Sequence, residues 1–157
     1  MVQLKVELAT LPAMRVASAL GFGAEPEGIA WDMIASFARE AGIDLVDKDN
    51  VTFGFNNPDP SPGSENYGYE IWLPVAASVV GVDPVQIKDF AGGTYATTRF
   101  TGLSNIGRVW KELVAWVEDS PHSFGPDFCH CLEKLHNPLE TDPEKYVFDL
   151  YLSVRTS

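Results

Sequence analysis

The stretch HNPLETDPEKYVFDLYLSV (136–154) repeats in outline the stretch NNPDPSPGSENYGYEIWLPV (56–75). Each contains Asn-Pro ahead of a loop with Pro and Glu, and each loop leads into an acidic, an apolar and an aromatic residue followed by Leu. Such loops are typical of hairpin connections, and the residues that follow them are typical of a strand. The repetition predicts that the chain is built from two related halves.

The correspondence continues outside these stretches. VELATLPAMRVA (6–17) aligns with VQIKDFAGGTYA (85–96) at a constant offset of 79 residues. Each segment is followed by a helical pattern of apolar residues. In the first pattern they are Ala30, Met33, Ile34, Phe37, Ala38 and Ala41. In the second they are Ile106, Val109, Trp110, Leu113, Val114 and Val117. The identical spacing predicts one buried stripe on each of two amphipathic helices. Gly42 is expected to end the first helix, and Ser104 to cap the second.

Each half is therefore predicted to hold two N-terminal strand segments, a helix and a two-stranded hairpin. The hairpin strands are expected at 51–55 and 67–75 in the first half, and at 127–135 and 146–154 in the second. Neither half has enough apolar surface to be stable alone, so we expect the halves to pack about a pseudo-twofold axis. The interpretation is a single domain over 1–157, with repeat 1 at about 4–76 and repeat 2 at about 83–155.

Composition narrows the class of protein. The chain has 157 residues, of which 45% are hydrophobic and 11% aromatic, which favours a packed core over disorder. Its net charge of −11 disfavours nucleic acid as a direct partner. No apolar run approaches the ~20 residues of a membrane span, and the N-terminus lacks a signal-peptide pattern, so a cytoplasmic protein is expected. The acidity either attracts cationic ligands or only serves solubility.

Cysteine chemistry contributes little to the interpretation. Cys129 and Cys131, the two cysteines of the chain, are expected to be reduced. On a strand their thiols would share one face and His130 would point to the other, so the CHC triplet is a poor zinc site. The small-residue turn 91–93 lacks the helix and lysine of a phosphate-binding loop. We expect no metal and no cofactor.

Four segments together resemble a known family. They are FAGGTYATTRFTG (90–102), NIGRVWKELVAWV (105–117), CLEKLHNP (131–138) and FDLYLSV (148–154). In order and spacing they are similar to the GyrI-like, or effector-binding, domain of bacterial multidrug-sensing regulators and stand-alone proteins. The resemblance implies an α+β fold of duplicated β-α-β-β halves that form one antiparallel sheet with two helices on one face. It also implies an aromatic-lined ligand cleft where the halves meet.

The resemblance implies that Glu133 is the glutamate at the base of this cleft. A carboxylate in an apolar cleft loses hydration, and a ligand cation ~4 Å away would contribute about 4 kcal/mol at an effective dielectric constant of about 20. Aromatic rings add cation–π contacts without demanding one ligand shape. The candidate ring residues are Tyr151, Trp72, Tyr95 and Trp110. An exposed strand acid at Glu133 and simple core packing of Trp110 remain as alternatives.

The leading hypothesis is a non-enzymatic protein that binds a lipophilic, cationic or amphipathic aromatic compound. The first alternative is a hydrolase that uses Glu133 as base or nucleophile and Tyr151 as proton donor on reactive small molecules. The second is a protein-interaction role such as gyrase inhibition, and a separate regulator or partner is left open. Family regulators carry a helix-turn-helix segment, for which the repeats over 4–154 leave no room, so no DNA-binding segment is expected.

Overall fold

The computed structural model describes residues 4–45, 51–57, 62–125, 131–137 and 140–155. In chain order the elements are β1 (Glu7–Leu11), β2 (Met14–Gly23), α1 (Pro26–Ala41), β3 (Phe53–Asn56), β4 (Tyr67–Pro74), β5 (Gln86–Phe90), β6 (Gly93–Thr101), α2 (Ile106–Glu118), β7 (Ser123–Phe124), β8 (Cys131–Leu135) and β9 (Val147–Arg155). Cys129, His130 and the start of the strand predicted at 127–135 lie outside the described residues.

The chain divides into two compact units. The first unit is Met14–Phe90, and the second unit combines Met1–Ala13 with Ala91–Ser157. All strand pairs in both units are antiparallel within the described residues. Each unit has one long helix on one face of its strands, so the predicted α+β class is confirmed.

The strands of the first unit follow the order β3-β4-β2-β5. Helix α1 covers one face of them with an apolar stripe. The buried residues of this core are Ala17, Ala19, Ala30, Ile34, Phe37, Ala38, Tyr69, Ile71, Leu73 and Val85. Gly42 follows the helix in the left-handed conformation with φ 73°, and its N–H bonds back to the last turn, as the sequence predicts. The helix begins earlier than its apolar pattern, because Pro26 is favourable in a first helical turn.

The strands of the second unit follow the order β1-β6-β9-β8, and β7 pairs with β9. Helix α2 covers one face of them. The buried residues of this core are Ala96, Val109, Leu113, Val117, Phe148, Leu150, Leu152 and Val154. The cap predicted for this helix is wrong. Ser104 lies in a 3₁₀ turn ahead of α2, and its hydroxyl donates to the carboxylate of Glu144 instead of capping the helix.

The compact units do not coincide with the predicted repeats. Strand β1 belongs to repeat 1 by sequence but pairs with β6 in the second unit. Strand β5 belongs to repeat 2 but pairs with β2 in the first unit. The two N-terminal strand segments of each repeat therefore belong to different units.

Gly92 lies at the turn between β5 and β6 and has φ 78°, which favours glycine. A Cβ at this position would also lie 2.8 Å from the backbone nitrogen of Ala13.

Over the described residues, none of the helices combines the length and the apolar content that crossing a membrane requires.

Candidate functional site

Alternation along β4 places two chemically different sets of side chains on its two faces. Tyr69, Ile71 and Leu73 point towards α1 and belong to the apolar core. Glu70 and Trp72 therefore point to the opposite face. Both are buried, with 1% of Glu70 and 7% of Trp72 exposed. A buried carboxylate among strands is costly unless it is ionically paired and hydrogen-bonded, so the surroundings of Glu70 are informative.

Glu70 accepts hydrogen bonds from four residues in the described part of the first unit. Oε2 accepts from Ser18 Oγ at 2.6 Å, Trp72 Nε1 at 2.6 Å and Lys88 Nζ at 2.8 Å, and Oε1 accepts from Asn57 Nδ2 at 2.9 Å. Burial alone would raise the pKa of Glu70, but these hydrogen bonds outweigh it and hold the pKa below its ordinary value. Glu70 is therefore an ionised, positioned carboxylate.

The predicted ligand residue Trp72 is surrounded by other rings of the first unit. Its ring centroid lies 4.8 Å from that of Phe55 in an edge-to-face arrangement and 5.3 Å from that of Phe90. Aromatic pairs at such distances stabilise one another beyond the area they bury. The ring of Trp72 is therefore fixed beside the Glu70 carboxylate, and the face opposite α1 carries both aromatic surface and negative charge.

Tyr95 and Tyr151, also predicted as ligand residues, are brought together in the second unit. Their ring centroids are 6.0 Å apart with an interplanar angle of 89°, and both side chains are buried. Burial raises the pKa of Tyr95 to about 12, with a further contribution from Cys131. Burial also raises the pKa of Tyr151, as does the charge of Asp149. Both phenols are therefore neutral at ordinary pH and can donate hydrogen bonds.

Asp149 lies two residues before Tyr151 on the same strand face. Its carboxylate accepts from Arg99 at 2.8 and 3.2 Å and lies 2.8 Å from Nε2 of His136. Burial would raise the pKa of Asp149, but the hydrogen bonds from Arg99 and His136 outweigh it and lower the pKa. An open cavity of about 570 Å³ lies beside this group, and its lining residues are Lys5, Glu7, Thr97, Thr98, Arg99, Asp149 and Tyr151.

The remaining predicted ligand residues are Glu133 and Trp110. They contact each other on the strand face of the second unit that α2 covers. Glu133 is in register with Leu150, which is fully buried under α2. Trp110 Nε1 donates to Glu133 Oε2 at 3.3 Å, and both residues are partly buried. Tyr151 is in register with Leu132 and points away from this face. The structure therefore does not bring together Glu133 and Tyr151, the pair predicted for a hydrolase.

Glu70 is the residue that the sequence reasoning missed. The signal was present, since Glu70 and Asp149 are the acidic residues of the two repeated strand motifs. Neither is among the residues predicted above to contact a ligand, and a single acid in a strand is more often exposed than buried. For metals, the described residues contain no group of three or more His, Cys, Asp and Glu side chains that could hold an ion.

Comparison with known proteins gives a family and several structural relatives. The family model described as the GyrI-like small molecule binding domain matches residues 4–155. No curated protein sequence matches the chain.

Two solved structures of EcmrR are similar to this chain. The isolated EcmrR C-terminal domain superposes with a TM-score of 0.75 at 13% identity, covering 99% of this chain and 100% of that one. EcmrR in its complex with DNA superposes with a TM-score of 0.79 at 13% identity over 100% of this chain. The chain spans 59% of the length of that EcmrR chain.

Two further structures share the fold. A hydrolase from Listeria innocua superposes with a TM-score of 0.66 at 14% identity, covering 99% of this chain and 94% of that one. SAV2435 bound to tetraphenylphosphonium superposes with a TM-score of 0.63 at 11% identity, covering 97% of this chain and 94% of that one. At these identities the structural likeness concerns the fold alone. The family model spans nearly the whole sequence, and the chain belongs to the GyrI-like small molecule binding domain family.

Proposed function

We propose that this small-molecule binding domain takes lipophilic organic cations, with Glu133 as the acidic group and Trp110 as an aromatic surface beside it. The observation that carries the proposal is the hydrogen bond of 3.3 Å from Trp110 Nε1 to Glu133 Oε2. It holds a carboxylate and a large ring together at partly buried positions next to an apolar core. The predicted ligand contacts Tyr95 and Tyr151 lie on the opposite face of their strands from Glu133 and are not part of this position, and Trp72 stays a predicted ligand contact.

Two attractions support the binding of a cation at this position: one to the Glu133 carboxylate and one to the face of the Trp110 ring. A cation ~4 Å from Glu133 would gain about 4 kcal/mol at an effective dielectric constant of about 20. The face of an indole ring adds roughly 0.5–2 kcal/mol through cation–π attraction. Neither term depends on a directional hydrogen bond from the ligand, so a lipophilic cation without N–H groups satisfies both.

The structural relatives support the ligand class. SAV2435, which shares the fold, is bound to tetraphenylphosphonium, a lipophilic cation of this kind. EcmrR has the similar domain in a protein that also binds DNA. We propose that this chain binds the same class of ligand as SAV2435, namely lipophilic cations. A role with a separate regulator or protein partner stays a prediction.

Hydrolysis by Glu133 and Tyr151 has less support. The two side chains point to opposite faces of the β8–β9 pair, so they cannot act together on one bond in this conformation. The fold likeness to the Listeria innocua hydrolase gives no catalytic residue for this chain.

The test is calorimetric titration with tetraphenylphosphonium. The wild-type chain is expected to bind it, and Glu133→Gln is expected to weaken binding by at least about tenfold, since it removes the charge but keeps the side-chain volume. Glu118→Gln, at an exposed position at the end of α2, is the matched control and should leave affinity unchanged. Wild-type affinity in Glu133→Gln, or an equal loss in both variants, would refute the proposed role of Glu133.

A further inference from the structure

We propose that Glu70 is a second cation-binding position, distinct from Glu133, which takes the ammonium group of an amphipathic primary amine in place of the Lys88 side chain. The proposal goes beyond the proposed function and does not rest on it. It concerns the strand face of the first unit that lies opposite α1.

The Glu70 carboxylate is positioned by neutral donors. Ser18 and Trp72 donate to Oε2 at 2.6 Å each, and Asn57 donates to Oε1 at 2.9 Å. Hydrogen bonds from buried neutral groups stabilise a carboxylate in its charged form. These donors hold Glu70 in place when the cation beside it is exchanged, and the incoming ammonium takes over the charge contributed by Lys88.

Lys88 has the properties of an exchangeable cation. Its Nζ lies 2.8 Å from Glu70 Oε2, but 42% of the Lys88 side chain is exposed, against 1% for Glu70. Lys88 lies on β5 in register with Val16 of β2, so its side chain reaches across β2 to contact Glu70 of β4. The Lys88 ammonium can therefore move into water, but the buried Glu70 carboxylate would then be left without a counter-charge, so the exchange requires a ligand cation in its place.

The equivalent acid in the second unit has cationic residues directly opposite it on both neighbouring strands. Asp149 is in register with Arg99 on one side and Lys134 on the other, and Arg99 donates to both carboxylate oxygens. At the corresponding positions in the first unit, Glu70 is in register with Leu20 and Phe55. The first unit thus flanks its carboxylate with apolar side chains, and its counter-charge comes from Lys88, which lies two strands away on β5.

The same face provides apolar surface for the rest of a ligand. Leu20, beside Glu70, is 47% exposed, and Phe22, two residues along β2, is 59% exposed. Exposed apolar side chains next to a carboxylate match a molecule with a hydrocarbon tail and a charged head. Lys88 is itself a primary ammonium on an alkyl chain, which identifies the class of head group that the position accepts.

The experiment is calorimetric titration with n-octylammonium, with n-octanol as the uncharged probe of equal tail length. The wild-type chain is expected to bind n-octylammonium and not n-octanol. Lys88→Met, which removes the internal competitor but keeps an apolar chain, should bind n-octylammonium roughly tenfold more tightly. Adding Glu70→Gln to Lys88→Met should abolish this gain. If the double variant does not fold, as judged by circular dichroism, the comparison of Lys88→Met with wild type decides.

Matched surface variants test the tail contact. Leu20→Ser should weaken n-octylammonium binding by about fivefold, and Leu8→Ser, which changes a leucine 44% exposed in the second unit, should not. Equal affinity of Lys88→Met and wild type for n-octylammonium would overturn the proposal. Binding by Lys88→Met without any binding by wild type would also overturn it, because Lys88 would then fill the position permanently. Failure of tetraphenylphosphonium to bind would refute only the proposed function at Glu133.

Discussion

Glu70 and Asp149 occupy equivalent positions 79 residues apart, and in both units the carboxylate is buried on the strand face opposite the helix. Glu70 is held by neutral donors and Lys88, and Asp149 by Arg99 and His136. The duplication has kept the acid and changed its surroundings. Both carboxylates are therefore coupled to folding, but with different partners.

The first prediction concerns stability in acid. Because the pKa values of Glu70 and Asp149 are lowered in the folded chain, the unfolded chain binds more protons just below the ordinary values of 4.5 and 3.8. The contribution of these two carboxylates to the free energy of unfolding should therefore be constant above this range and decrease as the pH falls through it. Urea unfolding over a series of pH values measures this. Glu70→Gln and Asp149→Asn should each flatten the decrease, whereas Glu65→Gln, at an exposed position, should not.

The second prediction concerns the cost of neutralising Glu70. In Glu70→Gln the charge is lost while Ser18, Trp72 and Asn57 still point at the side chain. Hydrogen bonds to a charged group contribute more than neutral ones, so the free energy of unfolding should decrease by about 2 kcal/mol at neutral pH. Chemical unfolding measures this value. A change below about 0.5 kcal/mol, the level expected of a surface position, would contradict the buried network.

The third prediction concerns the ring of Trp110. Trp110→Leu removes the aromatic face and the N–H donated to Glu133. Affinity for tetraphenylphosphonium should decrease by roughly 3- to 30-fold, the range expected for one cation–π contact. Trp116→Leu in the same helix is the matched control, because Trp116 stacks on His122 instead. A loss as large in Trp116→Leu would indicate a general effect on α2.

The fourth prediction concerns alkaline titration of the tyrosines. The raised pKa of Tyr95, about 12, means that its phenol ionises after an exposed tyrosine would. Since the folded chain holds this proton more tightly than the unfolded chain, stability should decrease as the pH rises above about 10. Absorbance titration should show late ionisation that Tyr95→Phe diminishes, and the part that remains is expected from Tyr151, whose pKa is also raised. Late ionisation of unchanged amplitude in Tyr95→Phe would contradict the assignment to Tyr95.

The fifth prediction compares two glycines. A Cβ on Gly54 would overlap the hydroxyl oxygen of Tyr69 and lie 2.6 Å from its Cζ, so Gly54→Ala should destabilise the chain by about 1–3 kcal/mol. Gly107, in α2, has nothing within 4 Å of such a Cβ, and Gly107→Ala should stabilise by about 0.5–1 kcal/mol. Thermal unfolding distinguishes the two signs. Equal effects would contradict the close packing of Tyr69 on Gly54.

Much of the fold could be predicted because its signals are local. The apolar stripes of α1 and α2, the end of α1 at Gly42 and the hairpin strands β4 and β9 follow from periodicities of 3.6 and 2 residues. The family resemblance followed from four short segments in order. The pairing of β1 with β6 and of β5 with β2 could not be predicted in this way, because a strand does not carry the identity of its partner in its own alternation.

The sequence by itself determined the duplicated α+β elements, the family and the residue types available for a ligand. Only the tertiary structure decided which of those residues share a face. Glu133 contacts Trp110 and not Tyr151, because the register of β8 against β9 puts it opposite Leu150. Glu70 becomes a buried, positioned carboxylate because β2 and β5 bring Ser18 and Lys88 to it across the sheet. Side-chain direction depends on pairing register, which is a property of two strands and not of one.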